Sequence, residues 1–383
     1  MHDFFKKINF TNSSMLMVYL FVNSLFVLKY GIRQDIISEY ILLVFYLSFV
    51  LGGLFFLEKK KIFINNLTQF RKSFLFIAIL VFLVFVAVNL IVDGQTLNTD
   101  RWSALEVSIR SVLNFEYPYD KLDHLGGRSS NLPGLIYIGL PFYLLGDVGL
   151  LQPFVFLLSM IVVSKFKNQN SNKLKCMFLL LCSLAFLWEV IAKSDLMTNM
   201  FIILLFMYFW NEKNKENYFQ KPIKLGFLSS FLVLTRGVVA IPMTIFLFKD
   251  FVRSSVKTKI LYTLSLITGS ILWSFPILFS LPDLQTIKQN NPFFNQTAYA
   301  SIGITVFFLL APFLISLKVK DFRQILMASF IVISIMLVGL FLLNAFEEGW
   351  KNNLYGLFDI SYLGMIIPFF LFAYLEKNLR RKT

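Results

Sequence analysis

The chain has 383 residues, of which 57% are hydrophobic and 15% charged, with a net charge of +14 and a mean hydropathy of +0.69. So few charges cannot cover the apolar content of a soluble protein of this size. The basic excess does not point to nucleic acid either, because Lys and Arg gather in short loops between apolar runs and no RNA- or DNA-binding motif accompanies them.

Those runs are roughly 17–25 residues long, the length an α-helix needs to cross a ~30 Å hydrocarbon layer. They are continuous rather than alternating, which favours helices over a membrane barrel. The expected fold is an all-α polytopic helical membrane protein whose residues 1–383 form a single transmembrane domain.

In chain order, the first two spans are predicted at residues 14–32 and 40–57, followed by the basic pieces "EKKK" and "RKS". A third span covers 74–92. A polar loop then fills 94–146, and within it the apolar run 133–145, about 13 residues, is too short to cross and is expected to be interfacial or re-entrant. Spans follow at 148–163, 174–191 and 196–210. The run 225–248 is interrupted by Arg236-Gly237 and by Pro242, and is expected to be two broken half-spans meeting near Arg236. Spans at 260–281, 300–317, 325–343 and 355–375 bring the expected total to about twelve. Counting 225–248 twice puts the basic loops consistently on one side. Both termini and those loops are then cytoplasmic, and the 94–146 loop is extracytoplasmic. Cys176 and Cys182 lie in one apolar run and are expected to be packing residues.

The polar loop is unusual in a chain of this composition. Between Asn98 and Gly134 it carries Asp100, Glu106, Glu116, Asp120, three arginines and His124. Trp102, Leu105, Ile109, Val112 and Leu113 recur at helical spacing, so 100–114 is expected to be an amphipathic helix on the membrane surface. Asp100 stands at its start. Two roles fit there: a side-chain cap of the helix, or a general base at the membrane boundary. The turn "NFEYPYD" then supplies Glu116, Tyr117, Tyr119 and Asp120, and "GGRSSNLPG" supplies Arg128 and Pro133.

Three further places carry charge where hydrocarbon is expected. Glu189 sits inside an apolar run, and Lys193 follows at the i,i+4 spacing of a helix ion pair. "KSDLMTN" reads as a hairpin capped by Ser194 and Asp195, with Lys193 snorkelling or binding an anion. Arg236 stands in "VLTRGVV" and needs an anionic partner. The last outer loop, "NAFEEGWKNN", offers Glu347 as a sugar-holding residue or is a plain connector. The two histidines, His2 and His124, are too few for a His-based metal site, whereas carboxylates are compatible with Mg2+ or Mn2+.

The order of elements resembles the first extracytoplasmic loop of the GT-C superfamily, integral-membrane glycosyltransferases that use polyprenyl-phosphate-linked sugars. The match is carried by Asp100, then "NFEYPYD", then "NLPGL", and departs at Pro133, where many members have two prolines. It covers about fifty residues directly and the rest by topology alone. The resemblance implies a sugar transferred from a polyprenyl-phosphate donor to a glycan, lipid or protein acceptor at the outer face of the cytoplasmic membrane. Asp100 would be the base, with Glu116 and Asp120 in reserve for the base or a metal. Arg236, with Lys193 or Arg128, would hold the donor phosphate, and Tyr117, Tyr119, Glu189, Asp195 and Glu347 would support the substrates. An O-antigen-type polymerase or ligase, or a lipid-linked oligosaccharide flippase, are the alternatives. A transporter is expected to show repeats and paired broken helices, and the sequence shows neither.

Overall fold

The computed structural model describes residues 10–297 and 300–376; His2, Lys6, Lys7 and the basic residues of 377–382 lie outside the described residues. The described chain is helical, with an isolated bridge between Leu122 and Arg128 and no named strand. The helices of eight residues or more are α1 (Phe10–Gly31), α2 (Glu39–Lys59), α3 (Phe70–Ile91), α4 (Arg101–Leu113), α5 (Pro133–Leu144), α6 (Leu151–Lys165), α7 (Asn170–Leu181) and α8 (Leu184–Ile191). They continue as α9 (Leu196–Lys213), α10 (Pro222–Val233), α11 (Ala240–Arg253), α12 (Val256–Phe279), α13 (Ile302–Lys318), α14 (Phe322–Glu348) and α15 (Ile367–Leu375).

Six of the described helical segments are long and apolar enough to cross a membrane, or eight if each of two bent pairs is one span. These are the helices of a multi-pass membrane protein, but they do not amount to the expected twelve. The shortfall has a local cause. The run 174–191 bends by 56° between α7 and α8, and the chain from Trp350 to Leu375 bends by 87° at Phe358–Asp359. The helices α10 and α13 are apolar but only 12 and 17 residues long.

The expected break at Arg236 is present. The helix α10 ends at Val233, Arg236 is extended at φ −157° and ψ 144°, and a single turn at Gly237–Val239 leads into α11. Gly226 of α10 packs on the Tyr262 carbonyl of α12, Gly269 packs on Ser230, and Phe231 lies edge-on to Trp273. Positions rise together along both helices, so α10 and α12 run parallel and α11 returns between their ends.

The main core is formed by α6, α9 and α15 with their neighbours, and Phe369, Phe370 and Phe372 of α15 are fully enclosed. By contrast, α2, α3 and α12 leave most of their apolar surface open. Cys176 and Cys182 are free thiols, with Cys176 in the core.

A second, separate core lies under the polar loop. Trp102, Leu105 and Ile109 of α4 pack with Tyr117, Tyr119, Leu135, Ile136 and Val148 and with Ile277 near the end of α12. The amphipathic stripe of α4 therefore packs against protein rather than facing lipid as expected. The physical reason is that α5, itself apolar, folds back over it; Gly139 of α5 leaves room for the Leu105 side chain. Leu113 alone of the stripe stays exposed, at 47%.

Candidate functional site

Asp100 occupies the position just before α4, but its backbone, at φ −92° and ψ −4°, is not the extended one of a capping residue, and its side chain makes no cap. The carboxylate is thereby turned away from the helix amides. Of the two roles the sequence allowed, side-chain capping is not realised.

The loop Leu122–Arg128 folds back over this residue. The amide of Asp123 donates to the Gly127 carbonyl at 2.9 Å, and Gly126 makes the turn at φ +80°, which an L side chain rarely adopts. Asp123 is only 8% exposed; its Oδ1 accepts from the amides of Leu125 at 2.8 Å and Gly127 at 3.0 Å. Its Oδ2 is buried with no hydrogen-bond partner among the described residues. A methyl group on Gly127 would stand 2.7 Å from Asp123 Oδ2 and 3.3 Å from Asp100 Oδ2. The two carboxylates therefore converge on the bare face of this glycine. Glu116 and Asp120 were expected in reserve for the base or a metal; the carboxylate that the fold brings toward Asp100 is that of Asp123. Asp120 keeps a buried, unpartnered Oδ1 of its own.

His124 fixes the loop to α4. Its Nε2 lies 3.1 Å from the Leu97 carbonyl and its Nδ1 2.6 Å from Ser103 Oγ. A carbonyl can only accept, so Nε2 donates to Leu97, while the Ser103 hydroxyl also reaches the Asp100 carbonyl at 3.0 Å. The ring also packs on Trp102, at 5.2 Å between centroids. Tyr119 donates to the Asn131 carbonyl at 3.1 Å and lies edge-on to Tyr117, whose hydroxyl is held above its ordinary pKa by burial and then by the Asp120 charge. Glu116 pairs with Lys121 at 2.9 Å on the exposed side. Arg128 is exposed and enters no ion pair among the described residues.

The expected cations elsewhere are neutralised within the chain. Arg236 donates from Nε at 3.0 Å and Nη2 at 2.5 Å to Oδ2 of Asp195, and both side chains are buried. Lys193, at φ +51°, reaches Asp147 at 2.5 Å. The expected Glu189–Lys193 pair is therefore absent. The chain leaves the helix after Ile191, so the i,i+4 geometry is lost, and Glu189 instead accepts from the Met197 and Thr198 amides and the Thr198 hydroxyl at 2.6–2.7 Å. It caps α9, the task expected of Ser194 and Asp195. Next to the Lys193–Asp147 pair, half-buried Glu106 has its carboxyl raised by burial and then by the Asp147 charge.

These groups share one end of the bundle. The Gly134 amide donates to the Leu234 carbonyl at 2.8 Å, and Gln296 bridges the Ser130 carbonyl at 2.7 Å and the Gly237 amide at 2.8 Å. Arg101, beside Asp100, reaches Asp359 at 2.5 Å, and its guanidinium lies over Tyr362 at 5.0 Å. The C-terminal outer segment thus meets the site through Asp359, whereas Glu347 is exposed at the end of α14 and enters no ion pair among the described residues. Among the described residues no group of three or more His, Cys, Asp or Glu is arranged to hold a metal ion. Arg101, Asp147 and Asp359 were not singled out from the sequence; the only signal was that each is charged at the margin of an apolar run.

No family model, curated protein or solved structure matches this chain.

Proposed function

We propose that this chain is a membrane glycosyltransferase that moves a sugar from a polyprenyl-phosphate donor to an acceptor hydroxyl at the end of the bundle formed by residues 94–146. The observation that carries the reading is the carboxylate of Asp100, free of capping duty and facing the unpartnered Oδ2 of Asp123 across Gly127. A carboxylate that makes no helix cap is placed to accept a proton from a substrate hydroxyl. Asp100, the more open of the two, takes the proton of the acceptor hydroxyl. The acceptor oxygen bonds to the anomeric carbon, the bond from that carbon to the phosphate oxygen breaks, and the polyprenyl phosphate leaves with the electron pair. A single displacement inverts the anomeric centre. Arg128, one residue beyond Gly127 and without an ion-pair partner among the described residues, meets the leaving phosphate. Arg236 and Lys193 hold Asp195 and Asp147 and so set the floor of the site.

The test is turnover by the purified protein with a lipid-linked sugar. Asp100→Asn keeps the size of the side chain and breaks no hydrogen bond, so the variant should melt like the parent. Turnover should fall by roughly 10²–10⁴-fold, the contribution of a positioned base, while donor binding persists. Near-parental turnover moves the base to Asp123. Movement of the lipid-linked sugar across the bilayer without transfer would identify a flippase, and chain growth on a polysaccharide would identify a polymerase or ligase.

A further inference from the structure

At the opposite end of α10 from the acids, α10 and α12 flank an open lateral groove of about 860 Å³. Close packing at Gly226 and Gly269 draws the two helices together. The wall between them is apolar, formed by Ile223, Phe227, Leu261 and Leu264, with Leu264 57% exposed. The hydroxyl of Ser265 is already committed, donating to the Ile223 carbonyl at 2.7 Å. The groove therefore offers hydrocarbon surface with little polar demand. It opens along α12, only 11% of whose apolar window is buried in the protein, so it faces the space that a membrane would fill with acyl chains.

Its mouth is cationic. Lys221 and Lys224 line it, both are exposed, and neither enters an ion pair among the described residues. They stand at the start of α10, where the unpaired amides of the first turn add positive potential.

We infer that this groove binds one anionic phospholipid of the leaflet on the basic side of the bundle, with an acyl chain along Phe227, Leu261 and Leu264 and the phosphate between Lys221 and Lys224. A neutral lipid would fill the wall but leave the lysines unpaired. A soluble phosphate would pair the lysines but leave the wall bare. Its cationic mouth is distinct from the site of the proposed sugar donor, since Lys221 and Arg236 stand beyond opposite ends of α10, a helix about 18 Å long.

The test is native mass spectrometry of the full chain, delipidated in mild detergent and titrated with phosphatidylglycerol or phosphatidylcholine of the same acyl chains. The parent should retain one phosphatidylglycerol in preference to phosphatidylcholine. The double variant Lys221→Gln/Lys224→Gln should lose that preference, roughly tenfold or more for two basic residues at an anionic headgroup. Leu264→Trp, which fills the wall, should lower retention of both lipids, and Lys59→Gln/Lys60→Gln should change nothing. Circular dichroism checks that each variant keeps its helix content. Equal retention of the two lipids by the parent, a preference that survives in the Lys221/Lys224 variant, or displacement of the lipid by glycerol phosphate would each overturn the proposal.

Discussion

Three buried or half-buried cations near the site, Arg236, Lys193 and Arg101, each meet a carboxylate from a distant part of the chain. The consequence is sharpest at Arg236. Removing one member of a buried ion pair leaves the other charge without a partner, at a cost of about 3–5 kcal/mol, whereas replacing both with apolar groups of similar volume is often close to neutral. Arg236→Met alone should therefore lower the melting temperature clearly, and Arg236→Met combined with Asp195→Leu should recover most of the loss. A thermal melt in detergent reads this directly. If Arg236→Met melts like the parent but binds donor poorly, the arginine serves the phosphate rather than the fold, and the role assigned to Arg128 passes to it. The sequence offered no partner for Arg236 and the wrong one, Glu189, for Lys193, because Asp195 lies 41 positions from Arg236 and Asp147 46 positions from Lys193. What could be read was that an arginine in an apolar run needs an anion.

At the scale of elements, the site depends on how α5 is seated against the break after α10. Gly134 is the close point: a methyl group there would stand 3.0 Å from the Leu234 carbonyl carbon and oxygen, with the Phe231 carbonyl closer still. These are backbone atoms and cannot swing aside. Gly134→Val should force α5 away from α10, break the Gly134–Leu234 hydrogen bond and cost about 1–3 kcal/mol as overpacking. Since Gln296 ties the same break to Ser130, transfer activity should fall as well, although Gly134 touches no proposed reacting atom. A variant with parental stability and activity would show that this junction does not position the loop. The helix α4 was legible from its periodicity, because the stripe of Trp102, Leu105 and Ile109 must be buried somewhere. That it is buried under α5 was not, since a lipid surface and an apolar helix present the same kind of partner to such a stripe.

Across the whole molecule, the basic loops collect at one end. Lys175 pairs with Glu58, Lys249 donates to the Val319 carbonyl, Arg323 to the Ala373 carbonyl and Asn168 to the Leu375 carbonyl. Lys29, at the far end of α1, meets the Phe358 carbonyl beside Asp359, at the acidic end. The basic end should face the cytoplasm and the 94–146 loop should face away from it. Single cysteines in a background lacking Cys176 and Cys182 test this. Leu125→Cys should react with an impermeant maleimide in intact cells, and Lys167→Cys only after permeabilisation. The reverse pattern would put Asp100 on the cytoplasmic face and remove the reason for a lipid-linked donor.

The sequence by itself determined that the chain is helical and rich in membrane-crossing segments, that α4 is amphipathic, and that the chain breaks at Arg236. Each is a local consequence: length against bilayer thickness, spacing against helical pitch, a charge and a glycine against a hydrocarbon run. Six to eight described segments are long and apolar enough to cross, against an expected twelve, and bends such as the one between α7 and α8 interrupt a helix while leaving composition unchanged. Only the tertiary structure decided that Asp123, not Asp120, faces Asp100, and that Asp359, 258 positions from Arg101, closes the site. One carboxylate looks like another in a sequence. Which of them meet depends on the turn at Gly126 and the packing of Trp102 against His124, which bring distant parts of the chain together.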